Sequence, residues 1–163
     1  MLFEHLFSFA VVIVSQLLFF IFHAWSVGEL SNAPKYLIQG GVLGLPFGIA
    51  SDLLVGHQLN IWSYELGWPL WFLTINGVFS YGFMIANVIL LYKHSFLNML
   101  VWVLGVGIVY EVTNHFFRVW NWEYLPFSTV QHFILFAFYV LLTWGIMVSL
   151  RIVFKYRFRL VPF

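Results

Sequence analysis

The chain of 163 residues is 63% hydrophobic and only 8% charged, whereas a soluble domain usually carries about 25% charged residues. This composition excludes an ordinary soluble domain, and a net charge of +1 offers no basic surface for nucleic acid. The lack of cysteine excludes disulfides, thiol redox exchange, iron–sulfur clusters and thiolate metal sites.

Five apolar stretches are long enough to cross a membrane, which takes about 20 residues in a helix. In chain order they are residues 6–28, 36–56, 66–92, 95–117 and 127–150. The connections between them are short, so we expect neighbouring helices to be antiparallel. The sequence therefore predicts an all-α, polytopic membrane helix bundle of about five transmembrane helices, in which residues 1–163 form a single domain.

The basic residues indicate how the bundle lies in the membrane, because Lys and Arg accumulate in cytoplasmic loops. A cytoplasmic C-terminus puts six of the seven Lys and Arg residues inside and leaves only Arg118 outside. We therefore expect a multi-pass protein of the cell membrane with a cytoplasmic C-terminus and an external N-terminus. The two longer polar connections, 57–65 and 118–126, then lie on the outer face, where we expect their tryptophans to approach each other and cover one pocket.

Polar residues within the predicted helices recur at helical spacing, so each set lies on one helix face. Polar side chains at membrane depth usually face the bundle interior or a cavity. Glycines on such a face let a neighbouring backbone approach closely. The faces are formed by Gly44, Gly48 and Asp52 in the second helix, by Asn76, Ser80 and Asn87 in the third, and by Glu111, His115 and Arg118 in the fourth.

Two acids, Asp52 and Glu111, lie near the outer ends of their helices. They are about 6 Å and 9 Å below those ends, at 1.5 Å of rise per residue. Acids at such depth are functional candidates, and we expect both to face the same interior space. The side chains that could complete a site around them are His115, Asn60, Trp62, Tyr64, Asn76, Asn114, Arg118, Trp120, Trp122 and His132.

Simpler interpretations of these residues remain open. Tryptophans at the outer boundary form either an interfacial belt or the wall of a cavity. Glu111 could pair with Arg118 or His115 on its own helix, and Asn114 could cap the helix end. No histidine pair has the spacing of metal ligands, so we expect no metal ion.

The stretch from Asp52 through Asn60, Trp62 and Tyr64 to Gly67 resembles the lycopene cyclase domain of the small integral-membrane carotenoid cyclases. In that family an acid at a helix end precedes a Trp-x-Tyr loop, a glycine and the next helix. Membrane terpene cyclases, which also use isolated acids in helix bundles, are an equally fair comparison. The family's Pro-x-Glu-Glu motif is replaced here by Pro69-Leu70-Trp71-Phe72. The acids of such a cyclase would therefore have to be Glu111 and Asp52.

The resemblance implies acid-initiated cyclisation of an apolar isoprenoid without a cofactor. In this hypothesis Glu111 keeps its proton at neutral pH, because apolar surroundings disfavour the charged form, and it starts the reaction. Asp52 or His115 acts as the base or proton relay. The aromatic faces that would stabilise the carbocation belong to Trp62, Tyr64, Trp120 and Trp122.

Two other classes of function remain open. The chain could be a module that binds or transports a lipid or small molecule without catalysis, or a structural protein for membrane assembly. For a cyclase or a binding module, the expected partners are an apolar isoprenoid or lipid and the membrane lipids, whereas a structural protein would bind no ligand. A homo-oligomer is left open, and no nucleic acid is expected.

Overall fold

A computed structural model describes residues 2–64, 66–91 and 94–122, and it shows an all-α bundle. Four helical segments in this part of the chain are long and apolar enough to cross a membrane, and they match the first four predicted spans: Phe3–Ser26, Leu30–Gln58, Leu70–Leu91 and Leu97–Phe117. The chain is therefore a membrane-embedded helical protein. The predicted fifth helix, 127–150, lies outside the described residues except for five single residues in helical conformation: Ala137, Leu141, Trp144, Gly145 and Val148.

The first span is helix α1, Leu2–Ser26. One side of α1 is buried, and its members recur every three or four residues as helical geometry requires. This buried face consists of Phe9, Val12, Gln16, Phe20, His23 and Ala24. It contains two polar side chains in an otherwise apolar row, and both matter below.

The second and third spans each contain a π-helical segment. Helix α2, Ala33–Ser51, continues directly into a π-helix at Asp52–Gln58. Helix α3, Leu70–Asn76, continues through a π-helix at Gly77–Tyr81 into helix α4, Gly82–Leu91. Hydrogen bonds in a π-helix join residues five apart, so such a segment changes which side chains share a face.

Glycines bring the second and third spans into backbone contact. Gly44 and Gly48 of α2 are buried against the third span. A Cβ atom on Gly44 would lie 2.5 Å from the amide nitrogen of Gly82 and 2.6 Å from the carbonyl oxygen of Gly77. The predicted close-packed glycine face of the second helix is thus confirmed. Because Asp52 follows one turn after Gly48, the same contact carries Asp52 into the interior.

Helix α5, Phe96–Phe117, ends at Arg118, which adopts a left-handed conformation with φ of 48°. The chain then forms strand β2, Trp120–Trp122, which pairs antiparallel with strand β1, Trp62–Tyr64. Trp62 lies opposite Trp122, and Tyr64 lies opposite Trp120. The prediction that the two connections approach each other is confirmed. That they cover a ligand pocket stays a prediction.

Candidate functional site

A buried acid lies where the second span meets strand β1. Asp52 is 0% exposed and is the first residue of its π-helix. The hydroxyls of Tyr64 and Tyr81 each donate a hydrogen bond to its Oδ1 at 2.8 Å, and Nδ2 of Asn76 donates to its Oδ2 at 2.9 Å. These four residues, here called the Asp52 cluster, join both π-helices, strand β1 and helix α3.

The π-helix after α3 explains why two of these donors converge. Asn76 and Tyr81 are five residues apart and would point in different directions on an ordinary helix of 3.6 residues per turn. The π-helical segment between them brings both side chains to Asp52. Asn76 and Tyr64 were candidates from the sequence, whereas Tyr81 was missed. Nothing in the sequence marked the π-helix, so helical spacing selected Ser80 in place of Tyr81.

The three hydrogen bonds at Asp52 all have the carboxyl group as acceptor. Burial is the main cause that raises the pKa of Tyr64 well above its usual value, followed by the nearby Tyr81 and the charge of Asp52. Tyr64 therefore keeps its proton at any ordinary pH and remains a donor. Nδ2 of Asn76 also lies 3.0 Å from the Tyr64 hydroxyl and ties the two donors together.

Aromatic rings pack around Tyr64 beside the acid. The rings of Trp68 and Phe72 meet Tyr64 edge to face, with centroids 5.1 and 4.9 Å away. Gly56, one turn beyond Asp52, leaves room for two indoles, because a Cβ there would lie 2.5 Å from Trp68 and 2.7 Å from Trp62. The acid thus adjoins an aromatic wall that includes the predicted Trp62 and Tyr64.

The carboxyl group is closed off in this conformation. With Asp52 fully buried, a ligand could reach it only after a neighbouring side chain moves aside. Tyr64 is the donor carried by a connection between spans, since Asn76 and Tyr81 belong to the third span. A displacement of strand β1 would therefore uncover the acid while the rest of the cluster stays in place.

The candidates on helix α5 have different surroundings. Glu111 is half-buried, whereas His115 and Arg118 are exposed. Asn114 is buried and supports the following turn: its Oδ1 accepts from the backbone amides of Val119 and Trp120 at 3.0 Å each, and its Nδ2 donates to the Trp120 carbonyl at 2.9 Å. The capping interpretation of Asn114 is therefore the one the structure supports.

The remaining candidates lie in the connections or beyond the described residues. Asn60 is exposed with φ of 52°, a left-handed turn conformation that asparagine adopts more readily than most residues. Trp120 is half-buried, and its ring centroid lies 6.5 Å from that of Tyr110. Trp122 takes part in the strand pairing described above. His132 lies outside the described residues.

A second polar cluster at the opposite end of the bundle was not predicted from the sequence. Nδ1 of the buried His23 lies 2.9 Å from Oδ1 of Asn87, whose Nδ2 donates to the Phe83 carbonyl. This fixes the Asn87 amide, so His23 Nδ1 is the donor. His23 Nε2 lies 2.9 Å from Nε2 of His94 and accepts from it when the His23 ring is neutral. Trp102 stacks on His23 with centroids 4.0 Å apart.

Metal binding has no support in the described ranges 2–64, 66–91 and 94–122. No three or more His, Asp or Glu side chains there come together as possible ligands of one ion. The two clusters instead present paired hydrogen-bonding groups, which suit proton transfer or the binding of an uncharged polar group.

Fold and site together define a class of protein: an all-α membrane bundle with a buried, hydrogen-bonded acid at one end. In comparisons with known proteins, the chain matches no family model, no curated protein and no solved structure.

Proposed function

We propose that this chain is a membrane-embedded isoprenoid cyclase that needs no cofactor and uses Asp52 as its acid. The observation that carries the proposal is the carboxyl group of Asp52, buried beside an aromatic wall and held by three hydrogen-bond donors. Glu111, the acid favoured from the sequence, is half-buried and is retained as a second acid.

The donors suit a carboxylic acid that must give up its proton inside a membrane. Transfer of the Asp52 proton to a carbon–carbon double bond forms a C–H bond and leaves a carbocation and a carboxylate. Tyr64, Tyr81 and Asn76 are already oriented to stabilise that carboxylate, so little reorganisation is needed as the charge develops. The faces of nearby aromatic rings, including Trp62, stabilise the positive charge on the substrate.

Ring closure then completes the reaction without a net change in protons. A neighbouring double bond of the substrate attacks the cation, which forms the new carbon–carbon bond and moves the positive charge to another carbon. Loss of a proton from the adjacent carbon restores a double bond, and the Asp52 carboxylate takes that proton back. The exposed His115 is not needed for this cycle.

The surroundings of the site support a substrate class, and the basic residues support an orientation of the protein in the membrane. The site lies within a bundle of apolar helices that is embedded in the membrane. We therefore propose an apolar isoprenoid substrate that enters the site from the lipid. We also propose that the protein lies in the cell membrane with a cytoplasmic C-terminus and an external N-terminus. The distribution of basic residues supports this orientation, which puts the Asp52 cluster near the outer face.

The test compares Asp52→Asn with Glu111→Gln, since each replacement keeps the shape of the side chain and removes its acidic proton. Purified protein in lipid nanodiscs is supplied with lycopene and with shorter isoprenoid epoxides, and ring products are measured by mass spectrometry. We expect Asp52→Asn to lower turnover by about 100- to 10,000-fold, the usual contribution of a general acid. Asp52→Glu should retain a trace, because the acid remains but is displaced.

The outcomes separate the candidates. Loss of turnover in Glu111→Gln alone would assign the acid to Glu111. Full turnover in both variants would overturn acid catalysis by either residue. A ligand that binds the wild-type protein but is never converted would indicate a binding or transport module. Size-exclusion profiles of the variants show whether a loss of turnover reflects a loss of fold.

A further inference from the structure

One polar side chain in the middle of the bundle, Gln16, has no hydrogen-bond partner among the residues that the structure describes. Gln16 is 1% exposed on the buried face of α1, and within the described part of the chain neither its Nε2 nor its Oε1 has a partner. Buried amides are normally hydrogen-bonded to protein or to water, so an unpartnered one calls for a functional explanation.

Contacts between α1 and the third span fix the depth of Gln16. His23 contacts Asn87, and the ring of Phe9 lies 4.9 Å from that of Phe72, so the two spans run parallel in a constant register. Gln16 lies seven residues before His23, and Ser80 lies seven residues before Asn87. Gln16 is therefore level with Ser80.

The level of Ser80 lies deeper in the bundle than Asn76, whose side chain donates to the Asp52 carboxyl group. Ser80 follows Asn76 by four residues, which corresponds to about 6 Å along the helix axis. At this level the Ser80 carbonyl accepts a hydrogen bond from the Tyr110 hydroxyl at 2.6 Å. Polar groups from α1, the third span and α5 thus occur at one depth below the acid.

The chemistry of an amide limits what can satisfy Gln16. Its carboxamide offers one acceptor oxygen and two N–H donors, and it carries no charge. A hydroxyl group both donates and accepts through a single oxygen, whereas an ether, epoxide or ketone only accepts. A charged group would face the cost of leaving water without an opposite charge at Gln16.

We infer that Gln16 binds a hydroxyl group of the substrate, so that the substrate is an isoprenoid alcohol. This inference rests on the proposed function and adds the substrate class. The hydroxyl lies at the depth of Gln16, and the reacting double bond lies nearer to the end of the bundle that holds Asp52. Gln16 is then a substrate-binding residue that takes no part in proton transfer.

The experiment measures how tightly two ligands bind to the protein in nanodiscs. One is the alcohol geranylgeraniol, and the other is the hydrocarbon that has hydrogen in place of its hydroxyl group. We expect the wild-type protein to bind the alcohol about tenfold more tightly, the effect of roughly one or two net hydrogen bonds. Gln16→Met, of similar volume, should remove this preference, and Asp52→Asn should keep it. Because the amide has no hydrogen-bond partner among the residues that the structure describes, Gln16→Met should unfold at the wild-type temperature or above.

Each result has a distinct meaning. Equal binding of alcohol and hydrocarbon by the wild-type protein, or a preference that survives in Gln16→Met, would overturn the inference and indicate that Gln16 meets only water. The proposed function would still stand if Asp52-dependent ring products formed from the hydrocarbon. Conversely, Gln16-dependent binding of an alcohol that is never converted would support the Gln16 site and refute the cyclase.

Discussion

Asp52 illustrates how a carboxyl group can be accommodated inside a membrane bundle by neutral donors. Asp52 receives three hydrogen bonds, from Tyr64, Asn76 and Tyr81. Each contributes about 0.5–1.5 kcal/mol while the carboxyl group is protonated, and about 1.5–3 kcal/mol once it is charged. Removal of any donor leaves part of the carboxyl group without a hydrogen bond. The low dielectric of the interior increases the loss of stability that results. The cluster is therefore expected to rigidify the end of the bundle as well as to orient the acid.

The raised pKa of Tyr64 predicts a loss of stability at alkaline pH. In the unfolded chain its phenol ionises near its ordinary pKa of about 10, whereas in the folded protein it keeps its proton to a higher pH. The stabilisation is complete below pH 10 and is lost as the pH rises, by about 1.4 kcal/mol per pH unit for one proton. In Tyr64→Phe the free energy of unfolding should fall less steeply.

Unfolding of both proteins in detergent between pH 8 and 11.5 checks this prediction, since all other titrating groups are shared. Identical slopes above pH 10 would contradict it. A lower stability of Tyr64→Phe at pH 8, with a shallower slope above pH 10, is the expected pattern.

At the scale of the helices, contact between α2 and the third span depends on glycines of both spans. Gly44 of α2 lies against Gly77 and Gly82 of the third span. Gly44→Ala should lower the free energy of unfolding by about 1–3 kcal/mol, the usual effect of forcing extra atoms into a packed interior. The added methyl would meet the backbone of Gly82 and Gly77, which cannot move aside as a flexible side chain would.

Gly41 provides the matched control on the same helix. A Cβ there would lie 3.5 Å from the Val78 carbonyl oxygen, an ordinary contact distance. Gly41→Ala should therefore leave stability unchanged or raise it by up to about 1 kcal/mol, because alanine favours the helix. Equal effects of the two substitutions, measured by thermal unfolding in detergent, would refute the backbone contact as the cause.

Sequence patterns predicted what depends on local periodicity. The first four spans follow from apolar length, and the glycine face of α2 follows from residues four apart. The roles of Tyr81 and His94 depended on features without a local pattern: a π-helix in the third span, and the register between α1 and α4. Gln16 was visible as a polar residue in the first span, but that no described residue hydrogen-bonds to it appears only when the neighbouring helices are in place.

For the whole molecule, the proposed orientation predicts where a reporter at the C-terminus will be active. A fluorescent protein fused after Phe163 should fluoresce in cells, because it would lie in the cytoplasm, and alkaline phosphatase fused there should be inactive. Phosphatase activity at Phe163 would reverse the orientation and put the Asp52 cluster near the cytoplasmic face. A phosphatase fused at the N-terminus behind a cleavable signal sequence serves as the positive control.

The ribbon of β1 and β2 also sets an order of events during synthesis. Strand β1 leaves the ribosome before strand β2, which begins 58 residues later in the chain. At ~5–20 residues per second, a growing chain carries β1 without its partner for roughly 3–12 seconds. Helices α3, α4 and α5 are made in that interval, and until it ends Tyr64 lacks the strand that holds it over Asp52. The acid is therefore closed off only after α5 has been made, which leaves it open to the insertion machinery and to lipids until then.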